Sequence, residues 1–219
     1  MRSLRLTGGA EPLQRLLVIG AHPDDIEIGC GGTILTLTRA VPGIAVDWVV
    51  LAAADERESE ARASAEAFLA HAGSARIEVH SFRDGFLPYV GGQVKDVFEE
   101  MKSRVDPQLV LTHTRDDLHQ DHRLVCELTW NTFRNHLVLE YEVPKVDGDS
   151  VRPNVFVPLE ERVAEEKIEL LHRHFPSQAS KHWFDEDTFR GLMRLRGMEA
   201  NAPERFAEAF VARKVQILP

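Results

Sequence analysis

The chain has 219 residues, 43% hydrophobic and 28% charged, which suits one well-cored domain and is short for two. Its formal net charge of −9 argues against a nucleic-acid surface, and no apolar run is long enough to span a membrane. Cys30 and Cys126 do not make a disulfide framework and suit a reducing cytoplasm, the expected location.

Residues 1–14 read as an extended lead-in, without the continuous apolar core of a signal peptide. Leu16-Leu17-Val18-Ile19-Gly20 then reads as a strand buried on both faces, which ends abruptly in Ala21-His22-Pro23-Asp24-Asp25. Gly29, Gly31 and Gly32 read as a glycine-rich turn, and Thr33 to Arg39 as a helix that stops near Pro42-Gly43. Strands are expected at 44–52, 76–82 and 109–113, with helices at 55–72 and 93–104 between them. Asp121 reads as the N-cap of a helix reaching Arg134. Beyond it come strands at 137–143 and 154–157, separated by an exposed charged loop, Pro144 to Pro153. Helices at 159–172 and 185–197 and a closing strand at 206–216 complete the chain. Alternation of strand and helix predicts an α/β fold: three layers around a mostly parallel, Rossmann-like sheet in a single domain, 1–219.

In such sheets ligands lie at the carboxyl ends of the strands. The polar end of the first strand and the cluster His119-Gln120-Asp121-His122 after the fourth open onto that same side. His22, Asp24, Asp25, His119, Asp121 and His122 can therefore meet in one cleft. Alone, either cluster reads equally well as a polar turn without chemistry. Together they offer the three His and carboxylate ligands of a catalytic zinc site, His22, Asp25 and His122, with a position left for water. Asp24 is the spare carboxylate that would take the water's proton, and His119 the imidazole that would steady an oxyanion or protonate a leaving amine. Asp121 is expected to orient His119 and keep it cationic.

Ala21-His22-Pro23-Asp24-Asp25 with Gly29-Cys30-Gly31-Gly32-Thr33 resembles the signature of the PIG-L/LmbE family of zinc-dependent de-N-acetylases. Asp117-x-His119-x-Asp121-His122 resembles that family's second motif, and Arg57-x-x-Glu60, Arg83-Asp84-Gly85, Ser177-Gln178 and Ala207-Glu208-Ala209-Phe210 are weaker matches. The resemblance implies zinc on His22, Asp25 and His122, with ferrous iron as the other candidate metal, Asp24 as base and His119 as its helper. It also implies removal of an acetyl group from a glucosamine-like sugar that carries an aglycone, lipid or nucleotide. Departures from the family pattern fall on the rim: Ile26 stands where a glutamate often follows the paired aspartates, Ala52-Ala53-Ala54-Asp55-Glu56 replaces a Gly-Glu pair, and Asp117 stands where some members have tyrosine. Arg57, Asp84 and Asp117 are the expected substrate contacts. The expected partner is a small acetamido sugar, and a homo-oligomer is the expected assembly. The rival readings are a zinc amidohydrolase for a non-sugar N-acyl substrate, a nucleotide-binding enzyme, which lacks a clean G-x-G-x-x-G, and a sugar-binding protein with a dead site.

Overall fold

Leu16 and Val18 enter one hydrophobic core and Leu17 and Ile19 the other, and all four are fully buried, because their strand is covered on both faces. The computed structural model describes residues 12–216, so most of the expected lead-in lies outside the described residues. The strands are β1 (Arg15–Gly20), β2 (Ala45–Val50), β3 (Ser74–Val79), β4 (Leu109–His113), β5 (Leu137–Tyr141), β6 (Val155–Leu159) and β7 (Phe206–Val211). The helices are α1 (Asp25–Ala40), α2 (Glu56–Phe68), α3 (Gly91–Arg104), α4 (Gln120–Thr132), α5 (Glu161–His174) and α6 (Glu186–Ala200).

The sheet runs β3-β2-β1-β4-β5-β7-β6. The first five strands are mutually parallel, and β7 lies antiparallel between β5 and β6. The order reverses direction between β1 and β4, so the crevice at their carboxyl ends is the topological switch point. Both polar clusters leave the sheet there. The expected three-layer, mostly parallel architecture is the one observed.

Two local expectations are corrected. First, Gly29, Gly31 and Gly32 lie inside α1, which begins at Asp25, eight residues before the expected start. These glycines serve close packing: a Cβ on Gly29 would overlap the Tyr141 ring, and one on Gly32 would come within 2.6 Å of Leu159 Cδ1. Gly29→Ala should therefore destabilise the protein by about 1–3 kcal/mol through overpacking, read as a lower urea midpoint. An unchanged midpoint would show that the Tyr141 ring gives way freely. Second, Asp121 does not cap α4; His119 does, its Nδ1 accepting from the Asp121 backbone N–H at 3.2 Å. That frees the Asp121 carboxylate for other partners.

Candidate active site

At the end of β1 the chain turns sharply. Asp24 sits in the left-handed region (φ 88°), where an aspartate is less strained than most residues. The turn places Asp25 at the head of α1, and its Oδ2 accepts the His22 backbone N–H at 2.8 Å. From the far side of the switch point, α4 brings in His122. His22 Nδ1 and His122 Nε2 are 3.2 Å apart, and Asp25 Oδ2 is 3.4 Å from each. A tetrahedral metal about 2.0–2.2 Å from its donors requires edges of roughly 3.3–3.6 Å between them. The three atoms already form such a face, so the donor set fits a zinc-like ion in both chemistry and spacing.

Each imidazole of this face is backed by a carboxylate on its other nitrogen. Asp121 Oδ2 lies 3.0 Å from His22 Nε2, and Asp117 Oδ2 lies 2.9 Å from His122 Nδ1. Such partners fix tautomer and ring orientation at metal sites. Asp121 also accepts from the Gly85 and Leu87 amides at 2.8 and 3.1 Å, which ties the 83–87 loop to the site. It was expected to orient His119; its carboxylate faces His22 instead. Asp117, expected as a substrate contact, is only 1% exposed. It is held by His122, by the His119 amide and by Lys145 Nζ, so its carboxylate is turned to these groups and away from the open rim.

His22 and His122 both hold their protons more tightly than ordinary imidazoles. Burial works against this, but His22 is bonded to Asp121, Asp25 and Asp84, and His122 faces the Asp25 and Asp117 carboxylates. Asp25 is also buried, yet the facing His122 imidazole keeps it well below the usual carboxylate range. Binding a divalent ion to this face should therefore expel imidazole protons, starting with the one shared between His22 Nδ1 and His122 Nε2, and none from Asp25. The Kd should fall as pH rises through the raised imidazole values, by about tenfold per pH unit for each proton displaced, then level off once both rings are neutral. Calorimetry in buffers of different ionisation enthalpy counts the protons, and binding without proton release would take His22 and His122 out of the ligand set.

His119 lies beside this face, its ring centroid 4.6 Å from His122 and 4.9 Å from His22. Burial and the charges of His122 and His22 lower its pKa, outweighing Asp121. Since Nδ1 accepts from the Asp121 amide, the proton resides on Nε2 and the ring is a neutral donor. The expected cationic His119 is thus corrected.

Asp24 is buried, and its Oδ2 accepts no hydrogen bond among the described residues. Burial pushes its carboxyl up, opposed by Arg57, whose Nη2 is 3.5 Å away. Arg57 also donates to the Pro23 carbonyl at 2.6 Å and to Ser177 Oγ at 3.2 Å, while Glu60 accepts from both the Ser177 hydroxyl and amide. Arg57-x-x-Glu60 and Ser177 therefore form one clamp on the Pro23-Asp24 turn. The guanidinium expected to meet a sugar is committed to the protein. Asp84 keeps an open position: its side chain is 79% exposed, with Oδ1 3.0 Å from His22 Nε2.

Three further features were not legible as site residues. His113 is fully buried and stacks on His122 at 3.9 Å, but its Nε2 accepts the Ala21 amide, which takes it out of the ligand set. Lys145 and Asp149 come from the loop expected to be exposed, and they brace Asp117 and the Leu118 amide. Glu27, one place beyond the family's glutamate, is buried, and burial pushes its carboxyl up to about 7. Cys30 is turned into its own helix, Sγ to the Ile26 carbonyl, and is no ligand.

Fold and donor set define the class: a doubly wound α/β protein with a His2Asp group and a spare carboxylate at the switch point. The chain belongs to the PIG-L family, since a family profile described as "PIG-L: GlcNAc-PI de-N-acetylase" matches residues 17–133. It is 28% identical over 181 residues to the uncharacterized deacetylase YaiS of Escherichia coli strain K12, spanning 77% of this chain and 95% of that protein. The N,N'-diacetylchitobiose deacetylase of Pyrococcus horikoshii, solved with its inhibitor MPG, is 22% identical with a TM-score of 0.67, over 90% of this chain and 83% of the other. GalB, the 4-carboxy-2-hydroxymuconate hydratase of Pseudomonas putida KT2440, is 18% identical with a TM-score of 0.72, over 94% and 99%. At those identities the two structures establish the shared fold, and a deacetylase and a hydratase both use it.

Proposed function

We propose that this protein is a zinc-dependent hydrolase that removes the acetyl group from an N-acetylated, glucosamine-like sugar, releasing a free amine and acetate. The observation that carries this is the His22-Asp25-His122 face with Asp24 beside it: three donors at metal-ligand spacing and one carboxylate to spare. Ferrous iron accepts the same donors and is the alternative metal. A metal held there supplies Lewis acidity, bringing the pKa of a water to about 7 and polarising a carbonyl.

The protein's own groups complete the reaction. Asp24 takes the proton of the attacking water as its oxygen bonds to the acetyl carbon. His119 donates from Nε2 to the acetyl oxygen as negative charge develops there. The C–N bond then breaks, and the proton held by Asp24 passes to the leaving nitrogen. Asp117 and Asp121 hold the ligand rings still, and Asp84, exposed next to His22, contacts the sugar. Among the described residues no helix is long and apolar enough to cross a membrane.

Acetate release from a panel of N-acetylglucosaminides with varied aglycones, using zinc-loaded protein, tests this reading. Turnover of at least one sugar, abolished by a chelator and restored by zinc, is expected. Two other arms decide the alternatives. Acetate only from non-sugar N-acyl compounds would replace the sugar with another amide. Addition of water to an unsaturated carboxylic acid, the chemistry named for the Pseudomonas protein, would replace hydrolysis altogether.

A further inference from the structure

The helix that carries Asp25 is broken. Cys30 has φ −147° and ψ 15°, outside the helical region, in the middle of α1. A regular helix would join the Gly32 amide to the Ile28 carbonyl. Here the two are separated, and each finds a charged partner from another part of the fold. Glu208, on β7, accepts the Gly32 amide at Oε1 (2.8 Å) and the Thr33 amide at Oε2 (2.6 Å). Lys167, on α5, donates from Nζ to the Ile28 carbonyl at 2.6 Å. The same Nζ lies 2.6 Å from Glu208 Oε1, and both side chains are almost fully buried.

The ion pair thus bridges the donor and the acceptor that the break separates. Its orientation suits the two helix ends: the carboxylate sits at the new N-terminus and the ammonium at the new C-terminus. It also lets the segment Asp25–Gly29 take a direction of its own. That segment carries the Asp25 ligand at one end, and Gly29 packs on the Tyr141 ring at the other. Tyr141 donates in turn to the Ile19 carbonyl at the end of β1 (2.8 Å).

We propose that Lys167 and Glu208 are positioning residues of the metal site, setting the angle at which α1 presents Asp25 to His22 and His122. This rests on the ligand set proposed above. It gives a physical role to the closing Ala207-Glu208-Ala209-Phe210 stretch, and it assigns Lys167 a part that no motif marked.

The test uses full-length protein and two readouts: zinc affinity by chelator competition, and amide exchange of residues 25–33 in metal-free protein. Glu208→Gln and Lys167→Met should each raise the zinc Kd about tenfold or more, in the range found when outer partners of a metal site are lost. Both should also speed exchange at Gly32 and Thr33. Met101→Ala, a truncation in the other hydrophobic core, on α3, should lower the melting temperature and leave zinc affinity within about twofold, since that core lies across the sheet from Lys167 and Glu208. Wild-type zinc affinity in Glu208→Gln, or an equal loss in Met101→Ala, overturns the proposal. If neither charge variant folds, Lys167→Arg replaces them; it keeps the charge but not the reach, and it too must weaken zinc binding. Failure of the ligand set is seen separately, as a wild-type protein that binds no zinc, and the exchange readout still judges the splice.

Discussion

Asp24→Asn should leave the protein folded and metal-loaded while lowering kcat by on the order of 10²–10⁴-fold, the contribution of a well-placed general base. The substitution isolates the proton transfer. Asn tolerates a left-handed backbone about as well as Asp does, so the φ of 88° at this turn is kept, whereas most other residues would strain it. The Asp24 backbone carbonyl still accepts the Ile28 amide at 2.8 Å and holds the first turn of α1. Arg57 still grips the Pro23 carbonyl. The three ligand atoms belong to other residues, so metal content should stay near one per chain. What disappears is the carboxylate that accepts a proton. If the metal leaves with the substitution, Asp24 is a ligand or a ligand's support. If kcat changes by less than about threefold, another group is the base.

The second large effect is expected at His122. His122→Ala removes one corner of the donor face and leaves His22 and Asp25, a pair that no longer defines a tetrahedral site. Metal affinity should fall by well over the roughly 10–100-fold that loss of an outer partner costs, and activity should go with it. Elemental analysis after dialysis gives the stoichiometry. Asp117→Asn is the informative companion. Its carboxylate is buried against His122 Nδ1, so it should show that smaller loss of metal affinity, with an unchanged KM once zinc is saturating. A large KM effect with unaltered metal binding would return Asp117 to the rim. Full metal occupancy in His122→Ala would end the ligand assignment and the mechanism built on it.

Much of this was legible in the sequence, for local reasons. A run such as Leu16–Ile19 buries alternate side chains in two cores wherever its strand lies in a covered sheet, and the polar residues after it must then emerge at the strand end. Two such strands in a parallel sheet bring His22 and Asp25 together with His122 through topology alone. The strand-helix alternation set the architecture in the same way. What the pattern does not carry is the direction a polar side chain takes once it arrives. Asp121 turned to His22, a residue 99 positions away, and not to its neighbour His119, because the cap geometry of α4 turned His119 Nδ1 to the Asp121 amide. Arg57 and Asp117 carry the residue types of a sugar-binding rim but are held by Pro23, Ser177, His122 and Lys145. The stretch that looked like a turn is helical, and Gly29 and Gly32 are glycine because Tyr141 and Leu159, more than a hundred residues on, pack against α1 there. The sequence by itself determined which chemistry the chain could assemble and at which end of the sheet; tertiary packing alone decided which side chains touch the reacting centre and which only hold it, because burial leaves each polar group the partners that happen to lie within hydrogen-bond reach.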